Sequence, residues 1–337
     1  MKTNSDVHPD APLVSVLVAV YNAEAWLAEC LDSLLAQTLT GIQVLCVDDC
    51  STDGSWDMLQ AYARRDARIE VYRMAENSGQ AKARNEALRH ARGRYVAFLD
   101  SDDWMDGKAL EACVKVFEEH EATDCVILRC VILRNGIPEE YGKPIPMLMS
   151  GIEALKASID WSIHGIYVTR LSFYRQWPYD ETCRTYSDDN TSRVHFFHSR
   201  EVRYAPSAIY YYRCNNASAT QQVTVRRFDH LRANESMKRQ LMEMNVEQDM
   251  LAHYETQRWL VLADCYMFYH VHGHELSASD RRYGLSEMRR VWGNTDRSLL
   301  DRRTTSKLGY RPCPRWWLFR LQEWFYFTLR GLLGKNY

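Results

Sequence analysis

Two acidic clusters in this 337-residue chain carry residue types that could do chemistry. Asp48-Asp49 follows the apolar run Ile42–Val47, and Asp100-Ser101-Asp102-Asp103 follows Tyr95–Leu99. Capping of a following helix accounts for one acid in each cluster, a task open equally to Asp53 or Asp106. It does not account for three carboxylates within four residues. Like charges that close raise one another's pKa unless a cation sits among them, so a hard divalent ion held by oxygen ligands is expected.

The elements around these clusters should place both on one rim. Leu13–Val20, Ile42–Val47, Ile69–Tyr72, Tyr95–Leu99 and Cys125–Leu133 are strand-like runs, many of them β-branched. Segments with helical spacing separate them, among them Glu24–Gln37, Ser55–Arg64, Gln80–Ala91 and Lys108–Glu119. Strands buried on both faces and alternating with amphipathic helices predict an α/β domain with a doubly wound, mostly parallel sheet. Ligands of such sheets bind outside the carboxyl ends of the strands, which is where both acidic clusters fall. No G-x-G-x-x-G follows the first strand and no G-x-x-x-x-G-K-[ST] occurs, so neither a dinucleotide fingerprint nor a P-loop is present.

Composition narrows the class. With 46% hydrophobic and 26% charged residues the chain is neither disordered nor fibrous, and no apolar stretch is long enough to span a bilayer. A polar start without a signal-peptide pattern predicts a cytoplasmic protein. Ten cysteines without a C-x-x-C pair then read as reduced core thiols, and the Asn-x-Ser/Thr triplets at Asn190, Asn216 and Asn234 as unglycosylated. His195-x-x-His198 and His270-x-His272-x-His274 lack further ligands and read as core or solvated histidines rather than zinc sites.

Four motifs in order carry a resemblance: Val18–Asn22, Val47–Gly54, Asn77–Asn85 and Phe98–Asp103. Over roughly the first 130 residues the chain resembles family 2 glycosyltransferases of the GT-A fold. The resemblance implies inverting transfer of a sugar from a nucleotide-diphospho-sugar, most often a UDP-sugar, with Mg²⁺ or Mn²⁺. It implies a glycan or lipid-linked acceptor and a role in cell-surface polysaccharide synthesis. By position, Tyr21 would stack on the base and Asp49 would bond its polar edge beside Asp48. Arg84 would face the nucleotide. Asp100 and Asp102 would form the D-x-D element, with Asp102 the direct metal ligand and Asp100 nearer the ribose, and Asp103 would face the donor sugar.

The family's catalytic base is the second acid of a Glu-Asp pair; here Asp188-Asp189 is the comparable element, with Asp where Glu is usual. Asp189 is the expected base and Asp188 its neighbour, a helix N-cap pair being the alternative. Tyr211–Ser218 is similar to the family's Y-x-R-x-N-x-x-S stretch, which would bring Arg213 toward the diphosphate. A catalytically silent sugar-nucleotide-binding or membrane-scaffold protein on the same fold is the rival reading. A nucleotidyltransferase would need a Gly-rich basic loop after the first strand, and Tyr21–Glu24 is not one.

The C-terminus differs in character. Residues from Arg281 onward carry a balance of +9 against −11 before it. Trp317, Leu318, Leu321, Trp324, Phe325, Leu329 and Leu332 share one helical arc interrupted by Thr328, with Arg320, Glu323 and Arg330 on the other side, where Trp316 and Phe327 intrude. This pattern predicts an amphipathic helix lying on an anionic membrane surface, the protein being peripherally attached at the cytoplasmic face. Packing on the catalytic domain or a homo-oligomer contact is the alternative, and nucleic acid is not an expected partner. The expected organisation is a catalytic domain over 1–220 (nucleotide-sugar half 12–133, acceptor half 134–220), a helical region over 221–312 and the amphipathic helix over 313–337.

Overall fold

The structure, a computed structural model, describes residues 11–214 and 222–334. The chain divides into two compact units, Met1–Glu181 with Thr191–Asn215, and Thr182–Asn190 with Asn216–Tyr337. The first unit begins with β1 (Val14–Val20), α1 (Leu27–Leu35), β2 (Ile42–Asp48), α2 (Ser55–Arg65), β3 (Ile69–Arg73), α3 (Gln80–His90) and β4 (Tyr95–Phe98). It continues through β5 (Trp104–Met105), α4 (Ala109–Glu119), β6 (Thr123–Arg134), β7 (Ile137–Glu140), β8 (Leu148–Met149), α5 (Gly151–Ile159), β9 (Tyr167–Arg170) and α6 (Leu171–Gln176). α7 (Asp188–His198) crosses the boundary between the units, and β10 (Glu201–Cys214) completes the sheet.

β1 is apolar almost throughout because it is covered on both faces. Val14, Val16, Val18 and Val20 pack with Leu27, Leu31 and Leu34 of α1 and with Leu110 and Phe117 of α4. Leu17, on the opposite face, packs with Leu45 and Val47 of β2 and with Ala81, Ala83 and Ala87 of α3. The strand order is β3-β2-β1-β4-β9-β6-β10-β5. β1 pairs in parallel with β2 and with β4, so the order of strands reverses at β1. A crevice for a ligand is expected at the carboxyl end of that reversal.

The sheet is mostly parallel, as expected, with one correction. The run Cys125–Leu133 does not continue the parallel alternation beside β4. β9 lies between them, antiparallel to both β4 and β6, and β6 finds its parallel partner in β10. Trp161–Tyr212, read from sequence as mixed strands and loops, supplies β9, α6, α7 and the 14-residue β10. All ten cysteines are free thiols, seven of them buried.

The second unit is helical: α8 (Asp229–Glu243), α9 (Gln248–His272), α10 (Ala278–Asn294), α11 (Arg302–Thr305) and α12 (Trp316–Leu332). Its core joins Phe228, Leu231, Trp259, Leu262, Tyr266, Met288 and Val291 to Phe319 and Phe327 of α12. Of the three charged residues opposite the apolar arc of α12, Arg320 is exposed but Glu323 and Arg330 turn toward the packed side. Glu323 is fully buried and Arg330 is half-buried, its guanidinium 5.7 Å from the Tyr326 ring centroid. Phe319 and Phe327, spaced four residues either side of Glu323, seat that face. The Asn215–Ser218 part of the expected motif, the triplet at Asn216 and the polar segment Met1–Asp10 lie outside the described residues.

Candidate functional site

The loops after β1 and β2 are stitched together before any ligand enters. The Asp49 N–H donates to the Val20 carbonyl at 2.7 Å. The Asn22 N–H donates to Ser51 Oγ at 3.0 Å, the Ala23 N–H to Ser55 Oγ at 2.9 Å, and the Thr52 N–H to Asn22 Oδ1 at 2.8 Å. Asn22 and Cys50 take left-handed backbone angles (φ 50° and 63°), a conformation asparagine tolerates better than cysteine. The stitching leaves the Tyr21 ring exposed at the rim.

Asp48 and Asp49 are both buried. Asp48 pairs with Arg73 Nε at 3.0 Å and accepts the Ser51 N–H at 3.1 Å. Asp49 accepts the Ser78 and Gly79 N–H groups at 2.7 Å each, one on each carboxylate oxygen. Gly79 caps α3 at φ 93°, where a side chain would be strained, and this lets the loop turn both amides toward Asp49. An acid at the start of α3 is also favoured by the helix dipole.

The cluster after β4 separates into two half-exposed carboxylates and one buried one. Asp100 is paired with Arg84, whose guanidinium is 1% exposed and lies 4.5 Å from the Phe98 ring centroid. Arg84, expected to face a nucleotide, thus holds Asp100. Asp103, expected to face a donor sugar, is instead 1% exposed. Its oxygens accept the Tyr210 hydroxyl and the Arg213 backbone N–H, each at 2.7 Å. The same Tyr210 oxygen accepts the Asp100 N–H at 3.2 Å. Burial, and then the charges of Asp100 and Asp102, hold the Asp103 carboxyl well above the usual carboxylate range.

Arg213 is a brace at this rim. Its Nε donates to the Asp102 carbonyl at 3.0 Å, and its guanidinium is paired with Glu29. The group lies between the Trp26 and Trp104 rings, 4.5 Å from each centroid. Trp104 in turn stacks on Tyr211 at 5.2 Å. Sequence reasoning missed Glu29, Trp26, Trp104, Tyr210 and Arg73. Only Trp104, beside the acids, and Tyr210, in the Tyr-Tyr-Tyr-Arg run, carried any local signal.

Among the described residues no three His, Cys, Asp or Glu side chains converge to cage an ion. The pair expected to hold the metal, Asp100 and Asp102, is half-exposed, whereas Asp103 turns inward to Tyr210 and Arg213. Asp100 and Asp102 still fit a divalent cation of the Mg²⁺ type, which is bound by one or two carboxylates and completes its shell with phosphate oxygens and water.

The structure brings Tyr21, Asp48, Asp49, Arg84, Asp100, Asp102 and Arg213 to the rim at the end of β1, β2 and β4. Asp188 and Asp189 belong to the second unit and occupy the first turn of α7. The residue before Ser187, Tyr186, has φ 67°, rare for an aromatic. Its ring stacks on His230 at 4.5 Å and its hydroxyl accepts from Arg227 Nη1 at 3.2 Å. His195 is buried between the Tyr167 hydroxyl and the Trp177 carbonyl, at 2.7 and 2.8 Å, and burial lowers its pKa to about 4. It is a core histidine.

The sequence profile of glycosyl transferase family 2 matches residues 15–177. The chain is 31% identical over 224 residues to the uncharacterized glycosyltransferase EpsJ of Bacillus subtilis, covering 62% of this chain and 63% of that one. It is 42% identical over 133 residues to a poly(ribitol-phosphate) beta-glucosyltransferase of Bacillus spizizenii, covering 39% and 21% respectively. The chain thus spans less than two thirds of the length of these relatives. Among solved structures it is similar to residues 1–349 of Staphylococcus aureus TarS in complex with UDP-GlcNAc, with TM-score 0.72 and 17% identity over 96% of this chain and 92% of that one. At that identity the likeness shows a shared GT-A fold. Taken with the motifs at the rim, the profile match places residues 15–177 of this chain in glycosyl transferase family 2.

Proposed function

We propose that the protein is an inverting, metal-dependent glycosyltransferase that moves a sugar from a UDP-sugar to a glycan or lipid-linked acceptor in cell-surface polysaccharide synthesis. One observation carries the reading. The half-exposed pair Asp100 and Asp102 stands at the carboxyl end of β4, where the strand order reverses, on the rim that also holds Asp48 and Asp49. The TarS structure with UDP-GlcNAc and the mannosyltransferase PcManGT of Pyrobaculum calidifontis with GDP-Man and Mn²⁺ (TM-score 0.54, 17% identity, covering 99% of this chain and 92% of that one) support the donor class and the metal. The poly(ribitol-phosphate) glucosyltransferase supports the cell-surface setting.

In this reading the exposed Tyr21 ring stacks on the base, and the Asp49 loop lines the slot beside it. Arg84 fixes Asp100, and Arg213 fixes the main chain at Asp102. Asp100 and Asp102 hold Mg²⁺ or Mn²⁺, which when bound offsets the charge of the diphosphate. Asp189, with Asp188 beside it, takes the proton of the acceptor hydroxyl as that oxygen bonds to the anomeric carbon. The bond from that carbon to the diphosphate breaks on the opposite side, UDP leaves with the electron pair, and the configuration inverts.

Calorimetric titration of UDP and UDP-sugars with and without Mn²⁺ tests the donor and metal together. Saturable binding that needs Mn²⁺ is expected. Equal affinity without metal would remove metal dependence, and no binding of any uridine nucleotide would remove the donor assignment.

A further inference from the structure

α12 presents two opposite faces, and only one of them is used by the fold. Phe319, Glu323 and Phe327 are buried against the second unit's core. Phe319 meets Trp259 at 5.4 Å and Tyr266 at 5.9 Å, and the Tyr266 hydroxyl donates to the Arg320 carbonyl at 3.1 Å. The helix is therefore formed and seated without a partner. At 100° per residue, Trp317, Leu321, Trp324, Phe325, Leu329 and Leu332 fall within an arc of about 140° centred opposite that seam. This arc is open: Trp317 is 56% exposed, Trp324 51% and Phe325 55%.

The charge around the arc is of one sign. Between Arg302 and Gly334 there are seven Lys and Arg and a single acid, Glu323, which is buried. Arg302, Arg303, Lys307, Arg311, Arg315 and Arg320 are exposed. No helix among the described residues is long and apolar enough to cross a membrane. A rigid helix with an aromatic apolar face and basic flanks, too short and too charged to cross, has the features of an interfacial helix. A second copy of the chain fits the face poorly, because a two-fold contact would juxtapose two basic segments whose single acid, Glu323, is buried and cannot offset them.

We propose that the outer face of α12 docks on an anionic lipid surface, with Trp317, Leu321, Trp324 and Phe325 entering the interface and Arg315 and Arg320 meeting the head groups. Because the helix is already seated, docking does not require it to fold on the membrane.

Co-sedimentation of the full chain with phosphatidylcholine vesicles, with and without phosphatidylglycerol, tests the proposal. Binding to the phosphatidylglycerol vesicles at low salt is expected, weakened but not abolished by high salt, which screens only the electrostatic part. The triple variant Trp317→Ser/Trp324→Ser/Phe325→Ser should lose binding at least tenfold with an unchanged melting temperature, since these side chains lie off the packed seam. R315Q/R320Q should weaken binding to anionic vesicles by about fivefold per charge removed and leave binding to neutral vesicles unchanged. Removing α12 altogether would uncover Trp259 and Tyr266, so these surface variants are the cleaner test. A full chain that does not sediment with anionic vesicles at low salt, or a triple variant that binds like the wild type, overturns the proposal. So does a concentration-dependent dimer that the triple variant abolishes, because a second copy would then cover the face.

Discussion

Arg213 touches two residues of the acidic loop with two different parts of itself: its backbone N–H reaches the Asp103 carboxylate at 2.7 Å, and its side-chain Nε reaches the Asp102 carbonyl at 3.0 Å. The end of β10 is thereby fastened to the loop after β4 through both the backbone and the side chain of one residue. The indoles of Trp26 and Trp104 hold the guanidinium plane in that position.

Arg213→Lys separates bracing from simple charge. Lysine keeps the positive charge but cannot present the planar fork that bonds Asp102 and Glu29 while lying between two rings. Affinity for UDP with Mn²⁺ is expected to fall several-fold, with a stability loss of about 1–2 kcal/mol from the lost stacking and hydrogen bond. Calorimetry and thermal melting read the two effects. Wild-type UDP affinity in the lysine variant would mean that charge alone is what matters at this position.

Asp102→Asn removes formal charge from one of the two half-exposed carboxylates of the cluster. Mn²⁺-dependent UDP affinity is expected to drop tenfold or more, about 1.4 kcal/mol. Binding measured with EDTA present should be the same for both proteins.

Asp189→Asn is expected to leave UDP-sugar binding nearly unchanged while transfer falls by roughly 10²–10⁴, the usual worth of a general base. UDP release measured with acceptor present gives the rate. If transfer persists at the wild-type rate, Asp188 is the next residue to replace.

Glu323 makes stability depend on pH. Burial raises its carboxyl from 4.5 to about 8, so the folded protein holds a proton there that the unfolded chain has already lost above pH 4.5. Its contribution is therefore least unfavourable below pH 4.5, worsens as pH rises toward 8, and is constant above that. Glu323→Gln should stabilise the protein by about 3 kcal/mol at pH 8.5, with the advantage shrinking toward pH 5. Urea melts at the two pH values measure this, and an advantage equal at both would show that Glu323 does not titrate in that interval.

The strands and helices around the rim were legible because each is buried on a face whose period is written in its apolar residues; β1 and α1 are examples. Asp100 and Asp102 were legible from their crowding and from their position after a strand. The inward turn of Asp103 was not, because Tyr210, which receives it, lies 107 residues away in sequence. β9 was not either, since a four-residue strand offers too little periodicity to show which neighbours it will separate. In α12 the apolar arc, broken by Thr328, was legible from its spacing, and its large side chains are exposed together. The burial of Glu323 was not legible, because the residues that cover that side of α12 lie far away in sequence; it is buried as an acid whose pKa burial has raised.

The stitching of the loops after β1 and β2 has a thermodynamic consequence. The turns beside Tyr21 and Asp49 already have Asn22 tied to Ser51 and Thr52, and Ala23 tied to Ser55, so few backbone torsions there are left to freeze when a planar ring binds. Association at that slot should cost little configurational entropy in the protein, and its heat capacity change should reflect the surface covered rather than any local folding. Replacing Ser51 or Ser55 with alanine would reintroduce that entropy, so its signature would be a weaker complex with the same contacts.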